Sequence, residues 1–365
     1  MSTALKDRYN LDFFQSFAIA LKEVTPLVDT SGFIANIFTD QFKEYELKQR
    51  MYHVTTVLNG MLSKDFHIAC NQIVQITEEL KLQGVGENFE YMFLPDYVAT
   101  YGLDDFDMSM DTLAKTTSFT SAEFAVRPFI IKYPKEAMAK MLVWSSNDES
   151  KIRRLASEGS RPRLPWAMAL PQLKSDPSPA IPILEKLKTD SDEVVRRSVA
   201  NHLNDICKDN PEVAKSLATK WYGRSDVMDA LIKHGVRTLL KQGDSEIMTL
   251  FGLDAHGLDI DHFTVATPEI RMGERLRFSF DIKNEQKSPR TVRIEFAIYL
   301  LKKNGSHSKK VFKISERSIP KNKVSISKGH HFKPITTRVY HPGKHFISVI
   351  LNGTEFARLP FELDV

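Results

Sequence analysis

Cysteine is almost absent: Cys70 and Cys207 are the only two in 365 residues, far apart and in no CxxC pair. That scarcity excludes a disulfide framework and a clustered thiolate zinc site, and it suits a reducing compartment with both thiols buried. Long apolar runs are missing too. No segment approaches the roughly 18 uninterrupted apolar residues of a membrane span. The N-terminal MSTALKDRYNLDFFQSF has no basic stretch leading into an apolar one, so a secretory signal is not expected and the cytoplasm is the expected location. HExxH, Walker and nucleotide-binding glycine patterns are also lacking, which leaves no expectation of a metal or a nucleotide cofactor. The acidic run through Asp104, Asp105 and Asp107 lacks the glycine and hydrophobic spacing of a calcium loop and reads as a solvated turn.

No strong excess of one charge shows in the total, which is +4. The distribution is uneven, however. Residues 260–365 hold 20 Lys and Arg against 10 Asp and Glu, a net of +10, leaving 30 against 36, or −6, for residues 1–259. A basic module joined to a mildly acidic one points to a polyanionic partner held partly by the tail, although basic surfaces also serve solubility. With 42% hydrophobic residues the chain is long enough and apolar enough for two or three cored domains.

The stretch 144–209 contains two helical units that resemble each other 43 residues apart, counted from Ile152-Arg153-Arg154 to Val195-Arg196-Arg197. A period of roughly 40–47 residues marks HEAT-type repeats, in which no unit can bury its apolar face alone. At about 100° per residue, Val195, Val199, Leu203 and Ile206 form an apolar stripe and Arg197, Asn201 and Asp205 fall opposite it. Ile152, Leu155 and Ala156 face inward in the preceding unit, with Arg154 and Glu158 outward. The two units are therefore expected to present an Arg-then-polar or acidic ladder on one surface. Solvated Arg–carboxylate pairs, stabilising each helix by a few tenths of a kcal/mol, are the competing reading.

Residues 1–100 carry apolar positions at three- and four-residue intervals, predicting helices over 11–28, 32–43, 47–62 and 68–82. Thr120 and Glu123 fit a capping box opening another helix, which Pro128 should kink or end, and Gly159 should stop the helix begun near Asp148. The link Ser160-Arg-Pro-Arg-Leu-Pro-Trp166 holds two arginines and a tryptophan on a proline-stiffened turn. It suits phosphate and sugar contact, unless Trp166 merely plugs a gap between repeats. After a linker at 252–257 the period becomes two: Leu276, Phe278, Phe280, Ile282; Val292, Ile294, Phe296, Ile298; Phe346, Ser348, Ile350. Six or seven short strands in about 100 residues predict an immunoglobulin-like sandwich. Its 302–310 loop, with Lys302, Lys303, Lys309 and Lys310, can reach phosphates or simply be solvated. The expected architecture is α then β: a HEAT-like helical solenoid over 1–258 and an immunoglobulin-like β-sandwich over 259–365.

The runs RRLASEGSRPRLPW at 153–166 and VRRSVANHLNDICKDNP at 195–211, together with Leu47-Lys-Gln-Arg50, closely resemble the AlkC-type bacterial DNA alkylation repair glycosylases, relatives of the AlkD group. The likeness extends over residues 1–250, and some members carry a C-terminal immunoglobulin-like domain. It implies a monomeric, monofunctional N-glycosylase acting on alkylated double-stranded DNA. The implied substrates are 3-methyladenine and 3-methylcytosine, with 1-methyladenine as a further candidate, removed without drawing the base into a deep pocket. It implies Glu123, Glu158 and Asp205 as the carboxylates around the lesion, and Phe124, Arg154, Arg161 and Trp166 as their aromatic and basic surround. Arg163 and Arg197 join them as candidate DNA contacts. Glu123 and Phe124 rest on the likeness alone, so the capping and core readings stay open for them. A noncatalytic HEAT scaffold that binds nucleic acid or protein is the rival class.

Overall fold

The computed structural model describes residues 4–86, 88–286, 288–335 and 338–365. Several helix starts are set by polar side chains. Asn10 opens α1 (Leu11–Val24) and Asp29 opens α2 (Thr30–Ile37), each accepting a free backbone N–H of the first turn. Glu46 and Gln49 form a reciprocal capping box on α3 (Leu47–Asn59), and Asp65 caps α4 (Phe66–Leu82). After α5 (Phe93–Tyr101), Asp105 caps α6 (Phe106–Thr116), so one carboxylate of the acidic run has a helix-starting task. Prolines sit where their missing N–H costs nothing, in the first turns of α7 (Arg127–Lys132) and α8 (Pro134–Trp144). Pro128 therefore starts a helix and does not kink one.

Next come α9 (Ser150–Gly159), α10 (Pro171–Ser175), α11 (Ile181–Leu187) and α12 (Glu193–Asp209). Four more complete the helices: α13 (Pro211–Trp221), α14 (Asp226–Gly235), α15 (Arg237–Gln242) and α16 (Ser245–Leu250). Within this region α9, α12 and α14 stack in succession, with α8 and α11 packed beside them, the layered arrangement of a helical repeat. The repeat is literal at one residue. Arg153 Nη1 donates to the carbonyls of Asn147 and Asp148, and Arg196 Nη1, 43 residues later, to those of Asp190 and Ser191.

Eight strands follow: β1 (Leu258–Val265), β2 (Glu269–Arg271), β3 (Arg275–Asn284), β4 (Arg290–Leu301), β5 (His307–Ile319), β6 (Asn322–His331), β7 (Gly343–Leu351) and β8 (Thr354–Asp364). They form a sheet in the order β1-β3-β6 and another in the order β2-β8-β7-β4-β5, closing over a common core in which Phe278 meets Phe296 at 5.0 Å. On β7 the core face carries Ile347, Val349 and Leu351, opposite Ile298, Phe296 and Ile294. The phase expected from Phe346, Ser348 and Ile350 is thus off by one residue. Ser348 and Ile350 are also buried, so β7 is enclosed on both faces and its alternation of burial is lost.

Two compact units result. One runs through Ala214 and includes Trp221–Gly235; the other holds Lys215–Lys220 and Val236–Val365, so α15 and α16 go with the sandwich. Among the described residues no helix is long and apolar enough to cross a membrane, and no group of three or more His, Cys, Asp or Glu is placed to hold a metal ion.

Candidate active site

The expected site residues of the helical unit lie on four segments of backbone. Glu123 and Phe124 occupy a turn before α7, Arg154 and Glu158 lie on α9, and Asp205 lies on α12, while Arg161, Arg163 and Trp166 come from the turn after α9. No helix starts at Thr120. Its hydroxyl donates to the Asn88 carbonyl at 3.1 Å, and Glu123 forms no capping box. Instead Glu123 Oε2 accepts from Ser121 Oγ at 2.6 Å and meets Arg154 Nη1 at 2.8 Å, with the glutamate side chain 16% and the arginine 29% exposed. This is the most solvent-accessible carboxylate of the three.

Glu158 and Asp205 depart from the angular expectation, because neither stands on an exposed ladder. They are 6% and 1% exposed. The reason is the packing of α12, which is covered by α9 on one side and α14 on another, so a single buried stripe understates how much of it is enclosed. Arg161, equally buried, joins the two acids. Its Nη1 lies 2.6 Å from Glu158 Oε1 and its Nε 3.0 Å from Asp205 Oδ2. Ser198 Oγ donates to Glu158 Oε2 at 2.6 Å and Lys208 Nζ to Asp205 Oδ1 at 3.0 Å, so all four carboxylate oxygens are engaged. Burial opposes the Arg161 charge, but the two carboxylates outweigh it and hold its pKa above the ordinary value. Arg161 is therefore a clamp between repeats and not an exposed phosphate ligand.

One residue that sequence reasoning missed sits at the centre. Arg127 is wholly buried and donates from Nε to Met168 O (2.6 Å) and from Nη1 to Gly159 O (2.9 Å) and Arg161 O (2.8 Å). Burial, with the Arg161 charge nearby, pulls its pKa down to about 10 against the opposing pull of Asp205, Glu123 and Glu158. Arg127 itself pairs with none of the three acids: its bonds go to backbone carbonyls, while Glu123 meets Arg154 and the other two meet Arg161. The available signal was a lone cation in the apolar run Phe124-Ala-Val-Arg-Pro-Phe-Ile-Ile131, since a charge amid apolar neighbours must be partnered. Lys48, Ser198 and Lys208 gave no such signal.

Gly159 is the last residue of α9, and what it supplies there is room and not a left-handed cap. A Cβ there would lie 2.6 Å from Val126 Cγ2, and its φ is not left-handed. Trp166 is 64% exposed and plugs no gap. Lys48 of α3 donates to the Trp166 carbonyl and stands over the Phe124 ring, 5.6 Å from its centroid. Arg163 makes a two-pronged pair with Asp209, and Arg197, 62% exposed, pairs with Glu193 one turn away on its own helix. Arg154 also lines a cavity of about 420 Å³ with Thr117, Ser121, Ser150, Lys151 and Asp192.

In the sandwich unit the basic loop is shorter than expected. Lys302 and Lys303 stand exposed on the β4–β5 turn, whereas Lys309 and Lys310 lie within β5, and Lys309 is committed to Glu355 at 2.6 Å.

Residues 259–365 match the family model described as the C-terminal Ig-like domain of the uncharacterised protein YhaZ. The chain is 39% identical to the uncharacterised protein YhaZ of Bacillus subtilis (strain 168) over 362 residues, covering 98% of this chain and 99% of the relative. It superposes on the Pseudomonas fluorescens alkylpurine DNA glycosylase AlkC, solved bound to DNA containing an abasic site analogue, with a TM-score of 0.93, 36% identity and full coverage of both chains. Continuous likeness at this level, through helical repeats and immunoglobulin-like domain alike, makes the chain a member of the AlkC-type family of alkylation-repair DNA glycosylases.

Proposed function

We propose that the protein is a monofunctional DNA N-glycosylase that hydrolyses the bond between deoxyribose and a cationic N-alkylated base in duplex DNA: 3-methyladenine, 3-methylcytosine and, as a further candidate, 1-methyladenine. The observation that carries this reading is the cluster in which Arg161 joins the buried Glu158 and Asp205 and Arg154 meets the more open Glu123, beside an exposed tryptophan, in a chain alike end to end to a DNA glycosylase.

An N3-methylated base already carries a positive charge, so it leaves with the bond's electron pair as a neutral base. Positive charge then develops on the sugar, water adds to C1′, and one proton is released to solvent. A fixed anion beside the sugar stabilises that charge, and in a water-poor interface it can supply several kcal/mol. Glu123, the most accessible carboxylate, is the group placed to meet the sugar and orient the water. Glu158 and Asp205 act from a layer below, anchoring Arg161 and with it the turn that carries Trp166. Phe124 and Trp166 flank the lesion, and the base is excised without entering a deep pocket. Arg163 and Arg197 bind phosphates, giving up their intramolecular carboxylates as they do so, while Arg154 faces the DNA with Glu123 still held on its guanidinium. Lys302, Lys303, Lys309 and Lys310 let the sandwich bind DNA as well.

Incubating the purified protein with methylated duplex DNA and identifying the released free base tests the reading. Glu123→Gln and Glu158→Gln should each lower the single-turnover rate by about 100-fold or more while DNA binding persists. Wild-type rates in both would remove these carboxylates from the chemistry, and DNA binding with no base released by the wild-type protein would leave a noncatalytic nucleic-acid scaffold as the better account. In the same titrations, replacing Lys302 and Lys303 by Ala should flatten the dependence of log affinity on log salt by up to about 2, roughly 0.9 for each phosphate that is no longer neutralised.

A further inference from the structure

We propose that Lys48 and Arg127 are positioning residues that grip the 160–169 turn at its tip and its base, and so hold Trp166 out in a backbone conformation it would not otherwise keep. Trp166 has a φ of +65°, a left-handed value that bulky L residues rarely adopt, and nothing about a tryptophan favours it. Such a conformation persists only when the surroundings over-determine it. Within the turn, Leu170 N donates to Pro162 O at 3.1 Å and Ala167 N to Leu164 O at 3.3 Å, which close the loop without touching the Trp166 peptide carbonyl.

The grip comes from outside the turn. Arg127 reaches the carbonyls of Gly159 and Arg161 where the turn leaves α9 and that of Met168 where it returns. Three acceptors spread over two strands of backbone need the forked donor geometry of a guanidinium, and a lysine at this position cannot span them. Lys48 takes a further carbonyl, that of Trp166 itself, while its ammonium faces the Phe124 ring. One cation thereby fixes the spacing between the two aromatic side chains of the site, and the other fixes the floor beneath them. The grip is independent of activity. Its consequence for excision rests on the glycosylase reading above.

The tryptophan content permits a direct readout, because Trp144 and Trp221 are 4% and 1% exposed and acrylamide therefore quenches Trp166 selectively. In full-length Lys48→Met, the quenchable emission should shift and lose anisotropy, and the single-turnover rate on methylated duplex DNA should fall by about tenfold. Lys48 is exposed, so the melting temperature should stay within about 2 °C of wild type. Lys48→Arg should restore both signals. Arg127→Lys should give larger changes in both, with a lower melting temperature. Unchanged Trp166 anisotropy in Lys48→Met overturns the grip. Altered anisotropy with an unchanged rate overturns its role in excision, and a wild-type protein that releases no base refutes the glycosylase reading while the fluorescence still decides the grip.

Discussion

The repeats built on α9 and α12 begin alike and end differently. Both helices start at matching positions, Ser150 and Glu193, and their Arg153 and Arg196 hold equivalent carbonyls. Yet α9 has 10 residues and α12 has 17. Where α9 stops at Gly159, the matching position of α12 holds His202 and the helix continues to Asp209. The early stop releases Ser160–Trp166 as a turn, and Arg161 can then cross to Asp205 on the longer helix. The candidate site thus owes its turn and its Arg161 clamp to a truncation of one repeat against its full-length neighbour.

Removing the clamp should break that relation most severely. Arg161→Met leaves Glu158 and Asp205 buried with too little positive charge between them, a change that costs about 3–5 kcal/mol. Urea unfolding measures it directly. A loss below about 1 kcal/mol would mean that the turn is not clamped between the repeats. Replacing Arg161, Glu158 and Asp205 together by apolar residues of similar size should recover much of the stability and none of the excision, which separates the clamp from the chemistry.

His202, the residue where α12 outruns α9, gives the next effect. The ring is fully buried with Nδ1 3.0 Å from Ser157 O, so its proton sits on Nδ1. Burial pulls its pKa down to about 4 from an ordinary 6.5. The folded state therefore binds this proton less readily than the unfolded chain. The stability contribution is whole above about pH 6.5 and is lost as pH falls toward 4. Between pH 7 and pH 5 that amounts to about 2 kcal/mol. In denaturant titrations at the two pH values, His202→Gln should lose about that much less than wild type. An identical pH dependence in the variant would show that the buried ring does not set the acid limit. His330 in the sandwich, also pulled down to about 4 by burial, weakens that unit over the same range.

Fold class was legible because both periods are strong. Leu276, Phe278, Phe280 and Ile282 bury as alternation predicts, and Val195, Val199, Leu203 and Ile206 bury as a helical stripe. The site was legible only as a set of names. The spacing that marked Arg154, Glu158 and Asp205 carries one helix's geometry, whereas their burial depends on neighbouring helices that a wheel cannot show. Glu123 passed for a cap because Thr-x-x-Glu has the right chemistry. No helix begins there, and the side chain turns to Arg154, 31 residues on. Arg127 and Lys48 act through carbonyl oxygens, which every residue possesses, so their partners leave no trace in residue types.

Arg154 and Arg197, matched in sequence, give the smallest effect and the sharpest contrast. Arg154 reaches across to Glu123 in the site, whereas Arg197 pairs with Glu193 on its own exposed surface. An exposed pair of this kind stabilises by about 0.3–0.5 kcal/mol, so Arg197→Gln should hardly move the unfolding midpoint. Its effect belongs to binding, as a shallower salt dependence by about 1. Arg154→Gln should instead lower the single-turnover rate at saturating protein by about tenfold, because it frees Glu123 from the partner that fixes its direction. Equal rate losses in the two variants would return both arginines to a single phosphate-binding row and remove the distinction between the truncated repeat and its neighbour.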